Sequence, residues 1–322
     1  MPVRFTTPSL GGQGELQVAD VAAHQWRIAL GYRHLHADQL FVGTALVPTN
    51  KPLILNIHSV DLTAAYAVTD RLSLSVTVPF VSGMQSRFYA DSARHAATAD
   101  GMGDITLVGS TWLLDPHNRT GNVALGLGLK APTGAHAARD AYFLANGTAI
   151  QYAVDQSIEP GDGGWGIIVQ LQAYRRVFPN ATAYLTGSYL INPRRLSDVA
   201  KDPGGSVYWS VPDVYSGRLG LVYALWPQHG VSVSLGGRID GQPVRDLIGG
   251  GDLGFRRPGY SVSLDPSVAF TSGPNQFTVS GPIRLSANRQ ASVPDLQSGK
   301  HGGGDFASGL IFVVTCDGSD TP

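Results

Sequence analysis

One rhythm constrains this chain more than any single motif. Segments in which apolar and polar residues alternate are joined by a short connection, then a long one, without a break. In WRIALGY, Trp26, Ile28, Leu30 and Tyr32 share one face, while Arg27, Ala29, Gly31 and Arg33 share the other. Period two marks a strand with one apolar face. Residues 72–80 repeat it, setting Leu72, Leu74, Val76, Val78 and Phe80 against Ser73, Ser75, Thr77 and Pro79. Twelve such strands are expected, at 24–36, 54–68, 71–81, 104–114, 122–132, 165–177, 181–192, 214–226, 231–240, 259–271, 277–287 and 306–315. Thr69-Asp70, DPHNRTG, Phe178-Pro179-Asn180, residues 227–230 and SGPNQ form the short connections. The long ones are 37–53, 82–103, 133–164, 193–213, 241–258 and 288–305.

An even number of strands about ten residues long, with short turns at one end and long loops at the other, is the plan of an outer-membrane barrel. Such a sheet must close, because lipid cannot satisfy an open strand edge. The expected fold is therefore all-β, a transmembrane antiparallel up-and-down barrel with short periplasmic turns and long extracellular loops. A soluble sandwich or lipocalin-like barrel is the competing architecture. Residues 1–23 are expected to be a periplasmic segment, 24–315 the barrel and 316–322 a tail. Aromatic belts are expected where rings reach headgroup level. Trp26, Tyr66, Trp112, Phe178, Tyr184, Tyr223, Trp226, Phe270 and Phe277 are assigned to the periplasmic belt. Tyr32, Phe80, Trp165, Tyr189, Tyr215 and Tyr260 are assigned to the outer one.

Composition agrees. Only 15% of the 322 residues are charged, against about 25% for a soluble domain, and glycine (40 residues), serine and threonine take up the difference. A net charge of −1 gives no electrostatic reason to expect nucleic acid as a partner. The single cysteine, Cys316, excludes an internal disulfide and a cysteine metal site. The opening MPVRFTTPSLGGQGE lacks the apolar core of a secretion signal, so either the precursor start has been trimmed or the chain is not exported.

GNVALGLGLKAPTG (121–134) has the look of a phosphate loop and fails as one. Lys130 is followed by Ala131 and Pro132, not by the Ser or Thr that opens the phosphate-binding helix. Its glycines alternate with Val123, Leu125, Leu127 and Leu129, so it reads as a membrane strand ended by Pro132. With GMGDITLVGSTWLLD (101–115) before it and GDGGWGIIVQLQAYRRV (161–177) after it, this stretch resembles the outer-membrane family named for the meta-cleavage pathway of phenol degradation. VTDRLSLSVTVPFVSG (68–83) is similar to that family's early hairpin. The resemblance covers residues 60–177, and beyond them only the strand rhythm continues. It implies a channel for aromatic or other hydrophobic compounds in the outer membrane of a Gram-negative bacterium. The final strand departs from the pattern. It lacks a terminal aromatic, and Phe312 is the nearest substitute.

If the apolar faces meet lipid, parity turns Arg27, Arg33, Asp61, Ser75, Thr77, Asp104, Lys130, Gln170, Gln172, Arg176, Arg218, Arg238, Asp240, Asp265 and Arg284 toward the lumen. Both signs occur, so these charges either brace the wall in pairs or form a polar constriction. The 32-residue connection 133–164 is apolar for an exposed loop, and Tyr142, Phe143 and Tyr152 make it the candidate to fold inward or to cap the mouth. The expected function is passive passage of small hydrophobic or aromatic molecules, with lipid and such solutes as partners. No catalytic residue, cofactor or metal ligand is assigned. The alternatives are a barrel enzyme hydrolysing lipid or peptide, or a structural or adhesive barrel. No histidine precedes a serine by two residues, so the His-x-Ser pair of barrel phospholipases is missing. His34, His36 and Asp38, with His58 on the next strand, form an outward rim cluster for which a solvated rim and a metal site are both conceivable.

Overall fold

The computed structural model describes residues 23–115, 120–248, 254–305 and 308–318. Twelve staves follow one another in antiparallel pairing: β1 (Trp26–Ala37), β2 (Ile54–Ala67), β3 (Leu72–Phe88), β4 (Thr106–Trp112), β5 (Gly121–Lys130), β6 (Gly166–Phe178), β7 (Ala181–Ile191), β8 (Val214–Trp226), β9 (Val231–Gln242), β10 (Gly259–Leu264 and Ser267–Ser272), β11 (Asn275–Ser280 and Ile283–Arg289) and β12 (Ser308–Gly318). β12 pairs with β1 from Trp26↔Gly318 to His36↔Ser308, so the ladder returns to its first strand. This is the transmembrane up-and-down barrel expected from the sequence. Among the described residues, no helix is long and apolar enough to cross a membrane.

Local chemistry explains the short turns. Thr69 Oγ1 accepts hydrogen bonds from the backbone N–H groups of Arg71 (3.2 Å) and Leu72 (2.9 Å), folding β2 back into β3. Between β8 and β9, Pro227–His229 makes one 3-10 turn that stops at Gly230, whose φ of 67° suits a residue without Cβ.

Prolines mark the places where the staves bend or break. β3 runs on to Phe88, past the expected end at 81, and the segment Arg94–Met102 pairs back along it from Phe80↔Met102 to Phe88↔Arg94. Much of the expected loop 82–103 is therefore strand, and the fourth stave is bent at Gly103-Asp104 opposite Pro79. There Gly103 donates its N–H to the Pro79 carbonyl at 2.8 Å. β10 and β11 each break in the middle, at Asp265-Pro266 and Gly281-Pro282, because proline has no N–H for the ladder. The lower half of β11 pairs with β12, whereas among the described residues its upper half pairs with β10 and reaches Gly43 through Arg289. The last strand starts at 308 and ends at 318, three residues beyond the expected limit.

The radial order is inverted relative to a soluble protein. Leu127 on β5 is 66% exposed, while Lys130 on the same strand is fully buried. Leu30, Leu62, Leu74, Leu219 and Leu285 are likewise exposed, and Arg27, Gln170, Arg218 and Thr278 are buried. An apolar outer band around a polar interior suits hydrocarbon outside. Two aromatics depart from the expected belts. Trp112 and Tyr184 are buried on the inner side, and Trp112 packs edge-on to Tyr174 at 5.7 Å. Trp112 shares its inner parity with Thr106 and Val108, and Tyr184 shares its own with Ser188. Belt assignment by distance from a strand end overlooked this parity.

Candidate functional site at the barrel mouth

The three glycine-rich motifs meet in space. Lys130, the last residue of β5, donates to Asp104 Oδ2 at 3.3 Å and to Asp162 Oδ1, and all three side chains are sealed from solvent. Asp104 also accepts the backbone N–H groups of Gly134 (3.0 Å) and Asp162 (3.1 Å), and Asp162 accepts that of Gly164 (2.9 Å). Burying three charges is tolerable because each is paired and hydrogen-bonded. The glycines let backbone cross backbone. A Cβ on Gly134 would lie 2.8–2.9 Å from Gly161 and Gly103. Thr133 Oγ1 closes the knot, accepting from the Ile105 N–H (2.9 Å) and donating to the Gly103 carbonyl (2.9 Å). The connection 133–164 is thus cinched at its base.

From that base the chain turns inward. Val154 and Ile158 pack with Ala37, Leu55, Ile57 and Val81 on the inner face of the upper β1–β3 wall and with Ala97 and Ala99 of the adjoining strand. Gly83 makes room for this, since a Cβ there would sit 2.7 Å from that of Ile158. On the other side, Arg257 makes a two-pronged pair with Asp155 (2.9 and 2.7 Å), and Gln156 donates to the Ser210 carbonyl at 2.6 Å. Residue 257 leads into β10, which stands five staves from β3 around the ring, so the segment 154–158 crosses the mouth. Burial disfavours the charged carboxyl of Asp155, but Arg257 and two hydrogen bonds from Ser157 hold it well below the usual carboxylate range. Arg256 is buried beside its neighbour, pairing with Asp246 and donating to Ser210 Oγ at 3.1 Å.

Tyr142, Phe143 and Tyr152 lie on the hairpin Arg139–Phe143/Ala149–Ala153. They join an aromatic group with the β3 extension. Phe143 stacks on His95, Tyr142 meets Tyr89 and Tyr152 edge-on, and Arg87 lies over Tyr89 and Tyr142. The Tyr152 hydroxyl donates to the Ala200 carbonyl at 2.9 Å.

Below the crossing segment, the inner wall is largely ion-paired. Arg33 contacts Asp61 at 3.0 Å, Arg218 contacts Asp265 through Nε at 2.7 Å, and Arg238 grips Asp240 at 2.6 and 3.0 Å. Thr77 bonds Thr63 at 2.8 Å, Ser75 donates to the Val108 carbonyl, and Gln170 and Gln172 follow on β6. Arg284 donates to Gln39 and lies over the Phe41 ring. Arg27 is buried near the periplasmic end, and Arg176 is exposed there. The sequence reading missed Asp155, Asp162, Asp246, Arg256 and Arg257. They sit in loops, where parity carries no information, and only the GDGG motif around Asp162 gave a signal.

The rim histidines assemble on the outer face. His34 stacks on His58 (4.6 Å, 10°), Tyr32 OH bonds His58 Nδ1 at 2.7 Å, and His36 Nδ1 bonds Asn56 at 2.7 Å. Among the described residues, no group of three or more His, Cys, Asp or Glu side chains is placed to hold a metal ion.

No family model matches the sequence, and no curated protein matches it. Solved structures do. An outer membrane channel from Pseudomonas putida F1 is similar over 92% of this chain and 97% of its own, with 17% identity and a TM-score of 0.64. The β domain of the Bordetella autotransporter BrkA (11% identity, 92% and 100% covered, TM-score 0.47) and a FadL homologue from Pseudomonas aeruginosa (10%, 98% and 94%, 0.44) are more distant. At 17% identity, the first likeness is one of fold: an outer-membrane β-barrel.

Proposed function

We propose that this barrel is a passive outer-membrane channel of a Gram-negative bacterium, passing small hydrophobic or aromatic molecules. One observation carries the reading. Val154 and Ile158 rest on an apolar inner surface at the mouth, where a water-filled porin presents polar side chains. A solute that displaces these two side chains meets the same surface in their place. In this reading the inner-face residues from Arg27 to Arg284 line the passage, Tyr142, Phe143 and Tyr152 narrow its approach, and no group is catalytic. The barrel wall in this reading runs from Trp26 at the start of β1 to Gly318 at the end of β12, and the expected N-terminal segment falls, up to residue 22, outside the described residues. The resemblance of 60–177 to the meta-pathway family supports the same assignment, as does the description of the Pseudomonas putida F1 structure as a channel.

Reconstituted bilayers test it. The native barrel is expected to pass a neutral aromatic such as benzamide. Ile158→Asp is expected to raise ion conductance several-fold, because a buried carboxylate among aliphatic side chains would drive the segment off the wall. An intact barrel by circular dichroism with no solute flux and no conductance, native or variant, would falsify the channel. A hydrolase would instead cleave lipid or peptide and lose that activity when His34, His36 or His58 is changed.

A further inference from the structure

The inner wall carries one feature that hydrocarbon passage does not use. Arg218 on β8 and Arg238 on β9 are direct cross-strand partners, so two guanidinium groups stand side by side on the inner face. Ser263 is next in the same row, and Arg284 follows it. Like charges directly opposite are unfavourable in a sheet unless something neutralises them. Asp265 and Asp240 balance the two charges but do not take up every donor. Arg218 places both Nε and Nη2 on Asp265 Oδ2, and Arg238 engages Asp240 through Nε and Nη2. In each arginine the remaining nitrogen, Nη1, is buried and has no hydrogen-bond partner among the described residues. The Arg218 side chain is only 7% exposed. Two charge-assisted donors on neighbouring strands are therefore uncommitted, and a guanidinium fork suits a carboxylate.

Aromatic surface adjoins this pair. Tyr184 is cross-strand to Gly220, which pairs with Gly236, and these glycines lie two residues from Arg218 and Arg238 on the same face. A Cβ on Gly220 or Gly236 would lie 2.7 or 2.6 Å from the Tyr184 hydroxyl, so the ring occupies the space the glycines leave. Tyr174 pairs with Tyr184, and Trp112 packs against Tyr174. An aromatic strip thus runs up to the arginine pair.

We propose that the arginine pair and this strip form a binding site for aromatic carboxylates, the ring lying against Tyr184 and the carboxylate bridging Nη1 of Arg218 and Nη1 of Arg238. The site rests on the channel reading and refines it: anionic aromatics, rather than neutral hydrocarbons alone, are selected. Calorimetric titration of the detergent-solubilised full chain tests the site without requiring transport. Benzoate is the probe, benzamide supplies the ring without charge, and acetate supplies the charge without the ring. Benzoate is expected to bind at least tenfold tighter than either. The paired variants Arg218→Gln/Asp265→Asn and Arg238→Gln/Asp240→Asn, which leave no lone buried charge, are each expected to cost about tenfold in benzoate affinity, the weight of one charge-assisted hydrogen bond. Heat-modifiable gel mobility confirms folding of each variant. If the native chain does not prefer benzoate, or if either folded paired variant binds it as the native chain does, the proposal is overturned. Benzamide flux reports separately on the channel, so a conducting barrel indifferent to benzoate would refute only the site.

Discussion

Lys130 ties the base of the mouth together. Its ammonium lies between two buried carboxylates, those of Asp104 and Asp162. Lys130→Met would leave those carboxylates facing each other without that cation, at a cost of about 3–5 kcal/mol. A clear drop in the urea midpoint of the barrel in vesicles is expected, and Asp104→Asn with Asp162→Asn should restore much of it. The Asp155–Arg257 pair makes a prediction about pH. Its carboxyl is held below the ordinary range in the folded chain, so its contribution is complete above the unfolded value of about 3.9 and fades only as pH falls below that. Protease cleavage within 133–164 should therefore be equally slow at pH 7 and pH 5, and faster near pH 3. Asp155→Asn should cleave quickly at all three. The sequence brought Lys130 and Asp104 forward as lumen candidates by parity, but the ion cluster depends on Asp162, which follows a 31-residue excursion whose path no local pattern encodes.

Among the elements, strands were legible and their interruptions were not. Alternation located every stave, because a half-buried strand must repeat with period two whatever its neighbours are. The bends at Gly103-Asp104, Asp265-Pro266 and Gly281-Pro282 arise from pairing, where a missing N–H or a backbone crossing falls opposite a particular partner. The glycines show how far context decides. Gly134 sits against backbone, whereas a Cβ on Gly237 of β9 would meet nothing within 4 Å. Gly134→Ala is expected to destabilise the barrel by about 1–3 kcal/mol by overpacking. Gly237→Ala should be neutral or slightly stabilising, since alanine loses less freedom than glycine. Thermal midpoints of the two variants, measured side by side, check the contrast.

For the whole molecule, the controlling fact is which face of the closed sheet meets which medium. Leu127 stands near the centre of an apolar outer face flanked by Leu125 and Leu129. Leu127→Arg is expected to cost about 2–4 kcal/mol, as a cation at the bilayer midplane does, and the loss should shrink in thinner bilayers. Unfolding in vesicles of two lipid chain lengths measures both effects. The sequence by itself determined the strand count, the up-and-down order, the split between lipid-facing and inward faces, and the glycine-rich motifs. Those properties are periodic or local, and period and composition carry them. Only the tertiary structure decided that three motifs knot around Lys130, that the segment carrying Val154 and Ile158 crosses the mouth, and that the Tyr184 ring fills the space beside Gly220 and Gly236, next to Arg218 and Arg238. Each of these depends on residues far apart in the chain meeting through sheet register and loop path, and none is written in the alternation of any one strand.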